Sequence, residues 1–159
     1  MDMAPVESVT LPTAAGRIQE GGDDRLLRYA TALYAAGLAA HSADHLRRGT
    51  GVLTWEVFWA GMLSTAIGLI TIVLVFARHR LAPLLATAAG LPIALGVGAV
   101  HLLPHWSALS DAFPGAQGTD VTALSWTVVL LKISGALAVG AAGLRLLRGQ
   151  GLSPAAQGA

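Results

Sequence analysis

The chain has 159 residues, a formal net charge of +1 and no cysteine; 54% of it is hydrophobic and only 12% is charged. Soluble proteins run at about a quarter charged, so the deficit points to lipid, and this length allows a single domain. Near-neutral charge with scattered basic residues speaks against nucleic acid as a partner. The lack of cysteine excludes disulfides, thiolate metal sites, iron–sulfur clusters and cysteine nucleophiles.

Residues 1–24 hold Pro5, Pro12, Gly16, Gly21 and Gly22 without sustained periodicity, which predicts a disordered cytoplasmic tail. Asp23 and Asp24 then suit the N-terminus of a helix. A first span is placed at about residues 25–48. Its purely apolar part, Tyr29 to Ala40, is about 12 residues, short of the roughly 20 that cross a bilayer. A signal peptide cut near Leu38-Ala39-Ala40 is the competing reading. Asp2, Glu7, Glu20, Asp23 and Asp24 ahead of it are unlike a basic leader, so a retained span is preferred.

The second span is placed at about 55–77. It opens with Trp55, Glu56 and Trp59, continues apolar with only Gly, Ser and Thr as interruptions, and closes at Arg78-His79-Arg80. The third, at about 81–103, has Pro83 in its first turn and Pro92 inside, where a helical hydrogen bond is lost. Residues 104–120 form the longest loop, broken by Pro114, Gly115 and Gly118. The fourth span, at about 121–145, precedes a short cytoplasmic tail, 149–159. The predicted architecture is thus an all-α, integral membrane four-helix bundle over residues 25–148, multi-pass in the cell membrane. Trp55, Trp59, Trp106 and Trp126 fall at one end of it, as an aromatic belt does.

Arginine placement sets the orientation. With both termini inside, Arg17, Arg25, Arg28, Arg78, Arg80, Arg145 and Arg148 are cytoplasmic and only Arg47 and Arg48 lie outside. This N-in/C-in arrangement carries the ends of the first and third spans to the extracytoplasmic face. Those ends are the polar stretches His41-Ser-Ala-Asp44-His45-Leu-Arg47-Arg48 and His101-Leu-Leu-Pro-His105-Trp106. Residues three and four apart share a helical face, so His41, Asp44, His45 and Arg48 form one stripe. His101 and His105 form another if the helix continues through Pro104.

Ionisable groups inside a membrane helix cost about 2.5–3.5 kcal/mol each on insertion scales, so a cluster of them calls for a reason. A divalent metal site is the leading one, with His41, Asp44, His45, His101 and His105 as ligands or as groups supporting them. With no sulfur ligand, zinc, copper(II) and iron(II) are all admissible. The rival reading needs no ligand: a structural or accessory subunit whose polar network, Arg48, Glu56, Asp111 and Lys132 with Asp44, locks the helices in register. Asp44 would pair there with Lys132 or Arg48, and Glu56 with Lys132. A single haem held by one histidine from each of the first and third spans is a third reading. A proton-coupled or quinone site is a fourth. Ser107, Ser110 and Asp111 beside His105 imitate a hydrolase triad but lack a nucleophile elbow. Lipid is the expected partner, with a homo-oligomer or membrane complex open.

The blocks H-S-A-D-H-L-R-R-G and H-L-L-P-H-W-S-A-L-S-D, joined by two plain spans, resemble those of small four-span membrane proteins of actinobacteria. The resemblance covers most of the chain after Asp24. It implies the topology and assigns no activity, cofactor or residue role.

Overall fold

The computed structural model describes residues 14–116 and 120–151. Among the described residues the fold is all-helical, with four α-helices: α1 (Ala14–Arg48), α2 (Trp55–Phe76), α3 (Ala82–Leu102) and α4 (Ala123–Gly151). Among the described residues, α2, α3 and α4 are long and apolar enough to cross a membrane.

Two of the expected boundaries move. α1 begins at Ala14, so residues 14–24 are helical where a disordered tail is predicted; residues 1–13 lie outside the described residues. Ala14, Ala15, Arg17, Gln19 and Glu20 are strong helix formers and carry the helix through the Gly21-Gly22 pair. Asp23 and Asp24 therefore sit inside α1 and do not cap it; Asp23 instead pairs with Arg145 at 2.8 Å. α4 likewise runs on to Gly151, past the predicted end at 145.

α1 and α3 both pack mainly on α4, and α2 lies to the side against α3 and α1. Small residues set the closest approaches. A Cβ added at Gly37 of α1 would lie 2.8 Å from the Lys132 Cα, and one at Gly90 of α3 would lie 2.7 Å from the Gly140 nitrogen. Side chains larger than hydrogen at these two points would push α4 off its neighbours. The face of α4 that carries Lys132 packs inward: Ser125, Val128, Lys132, Ala136 and Val139 are all buried.

The two helix ends of α2 are finished locally. Thr54 accepts a hydrogen bond from the Val57 N–H, capping the start. At the other end the Arg78 N–H bonds the Val75 carbonyl and the His79 N–H bonds that of Leu74, the paired bonds of a Schellman turn. Arg78 takes the left-handed position, φ 52°, that glycine usually fills. α3 runs unbroken through Pro92 and stops at Leu102; Leu103 is extended, φ −82°, ψ 151°, as the residue before a proline prefers.

Candidate metal centre

The last turn of α3 leaves carbonyl groups that no helical N–H reaches. The loop after α3 folds back to satisfy them. The Trp106 indole N–H bonds the Ala99 carbonyl at 3.0 Å, the Asp111 N–H bonds that of Val100 at 3.1 Å, and the Phe113 N–H bonds that of His101 at 2.9 Å. Ser110 organises the turn, its hydroxyl accepting from the Trp106 and Ser107 N–H groups. Backbone capping thus carries Asp111 and Phe113 onto the end of α3, directly beside His101. Arg47 of α1 fixes the other side, donating to the Asp120 carbonyl at 2.8 Å and to the Ser125 hydroxyl at 3.2 Å.

Three imidazoles meet under this loop. His41 and His101 are buried and His45 is half-buried. One nitrogen from each lies within 4.8 Å of the others. Ring centroids are 4.5 Å apart for His41 and His45, 5.0 Å for His41 and His101, and 5.5 Å for His45 and His101. The Nε2 atoms of His41 and His45 face each other at 3.1 Å. Nitrogen ligands about 2.0–2.1 Å from a tetrahedral zinc lie about 3.3 Å apart, so these two already have a chelating separation. A shift of roughly 1–1.5 Å by the third ring would complete the set on the same geometry.

Asp111 stands behind two of the rings. Its backbone carbonyl lies 3.1 Å from His101 Nδ1. A carbonyl only accepts, so Nδ1 carries the proton and Nε2 keeps its lone pair. The carboxylate Oδ2 lies 3.4 Å from the same Nδ1 and 4.0 Å from His45 Nδ1. A carboxylate behind metal-binding imidazoles fixes ring orientation and raises ligand basicity. Arg48 holds Asp111 in turn through two bonds of 2.7 Å, NH1 to Oδ2 and NH2 to Oδ1. Burial, the largest single influence, would raise the Asp111 carboxyl, but the Arg48 hydrogen bonds together with the neighbouring His101, Arg48 and His45 outweigh it and keep it below the ordinary carboxylate value. Phe113 closes the cluster, its ring 4.8 Å from that of His101 and 5.1 Å beneath the Arg48 guanidinium.

Not every residue expected at the site reaches it. His105 is exposed in the loop, because α3 ends before Pro104 and the His101–His105 stripe never forms. Asp44 is buried but bonds Arg47 at 2.9 Å, away from the imidazoles. It sits about 100° round the helix from His45. Glu56 is exposed in the first turn of α2, where it suits the helix dipole, and makes no pair with Lys132. Lys132 is buried as expected, yet pairs with no carboxylate among the described residues. Ser107, Ser110 and Asp111 are spent on the turn and on Arg48, not on a hydrolase triad. Arg47 and Phe113 contribute contacts that sequence reasoning missed. The only sequence signal for Arg47 is its place three residues after Asp44.

No protein-family profile, curated protein or solved structure matches this chain. The site geometry therefore carries the functional reading alone.

Proposed function

We propose that this chain is a four-span membrane protein that holds one divalent transition-metal ion on His41, His45 and His101 near the extracytoplasmic face. The observation that carries the metal reading is the meeting of three imidazole nitrogens within 4.8 Å, with the Asp111 carboxylate behind two of the rings. No carboxylate or thiolate joins the donor set, so zinc, copper(II) and iron(II) are all suitable ions.

Support for α1 as the fourth span comes from its pairing with α4. Asp23 bonds Arg145 at one end and Arg47 bonds Ser125 at the other, so the two helices run antiparallel side by side. Asp23 and Arg47 are separated by about 36 Å of helix, against a hydrocarbon core of about 30 Å. The polarity of α1 is also inverted: His41, Asp44 and Arg48 are buried while Tyr29, Leu33, Ala36, Ala39, Ala43 and Leu46 face outward. An apolar exterior around a polar interior suits lipid. The arginine distribution supports N-in/C-in, with the histidines outside.

Haem is the weaker fit. A bis-histidine haem holds its imidazoles on opposite faces of a flat macrocycle, whereas His41 and His101 meet edge to face. A structural role has one specific support: Arg48–Asp111 and Arg47–Asp44 close without any ligand. Metal analysis of detergent-purified protein separates the two. The metal reading expects about one ion per chain, lost in His41→Ala and His101→Ala and kept in His105→Ala. Metal-free protein whose melting temperature falls in the same two variants would establish the structural lock instead.

A further inference from the structure

Lys132 is 4% exposed, on the inward-packed face of α4. α4 crosses α1 at Gly37 and runs antiparallel to it, so the direction from Gly37 to His41 is the direction towards the N-terminus of α4. Helical side chains lean towards the N-terminus of their own helix. Lys132 therefore reaches from the level of Gly37 towards His41, about 6 Å along the axis, within the span of its own side chain.

Among the described residues, the charges around the three imidazoles do not balance. Arg48 is matched by Asp111, Arg47 by Asp44, and Asp23 by the distant Arg145. Three imidazoles, neutral when they hold a metal ion, contribute nothing. A divalent ion would thus sit near the Lys132 ammonium with no compensating carboxylate, an arrangement that a water-poor interior opposes strongly. An ion on three protein ligands also keeps a fourth position open. His45, with its side chain 21% exposed, lies on the way in from the loop.

We propose that the ion on His41, His45 and His101 takes a small monovalent anion as its fourth ligand, and that Lys132 holds that anion from the side of α4. The inference rests on the metal reading and adds the class of ligand the open position accepts. An ammonium placed to repel a bare cation becomes a hydrogen-bond donor and counter-charge once the ion carries an anion. It also favours an anion over a neutral ligand, because only an anion offsets part of the excess positive charge.

The test uses the full-length protein in detergent, loaded with cobalt(II) and titrated with azide, read in the visible ligand-field bands. Wild type and Lys132→Met are expected to bind cobalt in equal stoichiometry. Azide affinity is expected to fall at least tenfold in Lys132→Met and to be largely kept in Lys132→Arg. Methionine matches the length of the lysine stem and suits a buried position, so Lys132→Met is expected to melt no lower than wild type. Equal azide affinity in wild type and Lys132→Met overturns the anion inference alone. So does cobalt-loaded wild type that ignores azide, or loss of cobalt from Lys132→Met while Lys132→Arg keeps it. Wild type that takes up no cobalt overturns the metal reading and this inference together.

Discussion

α1 and α2 are neighbours in the chain and opposites in the fold. Beyond Glu56, α2 is apolar but for Ser64, Thr65 and Thr71, yet Trp59, Met62, Leu63, Leu69, Ile70, Val73 and Phe76 all face outward. α1 carries six charged or polar groups in its last eight residues, and His41, Asp44 and Arg48 among them are buried. In water this distribution would be upside down, since burial favours the apolar side chain. In lipid it is the expected one, because hydrocarbon outside removes the drive to bury apolar surface and polar groups seek one another. Hydropathy along this chain reports which helix faces lipid; it does not report which helix makes the core. α2 is finished mainly by local devices, a Thr54 cap and a Schellman turn, with one long-range bond from the Thr54 hydroxyl to the Ala108 carbonyl. α1 is held by long-range polar bonds to the loop and to α4.

The contrast predicts unequal sensitivity. The largest effect is expected on α1 at Arg48, whose side chain is fully buried and bound twice to Asp111. Arg48→Met strands the Asp111 carboxylate and is expected to cost about 3–5 kcal/mol, with much of that restored when Asp111→Leu is added. Thermal melting in one detergent measures both. The pair also sets a pH dependence. Arg48 holds the folded Asp111 below the unfolded value of 3.8, so its contribution is fully present above that value and is lost as pH falls through the lower, folded one. The melting gap between wild type and Asp111→Asn is therefore expected to be constant near neutrality and to narrow only below about pH 4. A gap that already narrows at pH 6 would assign it to another group.

A middle-sized effect is expected from two matched glycines. Gly37 of α1 lies against the α4 backbone, 2.8 Å from Lys132 Cα for an added Cβ, whereas a Cβ at Gly61 of α2 meets nothing within 4 Å. Gly37→Leu is expected to cost at least about 1–3 kcal/mol as the helices part, and to take metal binding with it because His41 is one turn away. Gly61→Leu is expected to change stability by no more than about 0.5 kcal/mol. Equal losses from the two would show that α1 and α2 are packed alike and would dissolve the contrast.

Much of this fold is legible in the sequence, because span length and apolar runs follow from bilayer thickness. α2 and α3 fall within a residue or so of their predicted limits. The meeting of His41, His45 and His101 follows from helix phase and antiparallel connection. What escapes the sequence is the loop. Pro104 biases Leu103 to an extended conformation, and that single residue removes His105 from the face it would share with His101. Asp111, ten residues beyond His101, comes back beside it only because the α3 carbonyls need donors. Asp44 fails as a ligand for a subtler reason. A stripe of i, i+3 and i+4 residues is wide enough to face two neighbours, and Asp44 falls on the α4 side with Arg47 while His45 falls on the α3 side.

The smallest effect is expected at the local end of the contrast. Arg78 closes α2 in the left-handed region, φ 52°, where a Cβ is crowded against backbone. Its side chain is exposed, and no hydrogen bond or ion pair of that side chain is seen among the described residues. Arg78→Gly relieves the crowding but gives the unfolded chain more freedom, so the net gain is expected to be about 0.5–1 kcal/mol. The sign is what discriminates. α2 depends on its Schellman geometry, which glycine satisfies better, so the variant should melt slightly higher than wild type and bind metal unchanged. A lower melting temperature would mean that the Arg78 side chain itself anchors α2, and that the outward-facing helix, too, is held by a polar contact.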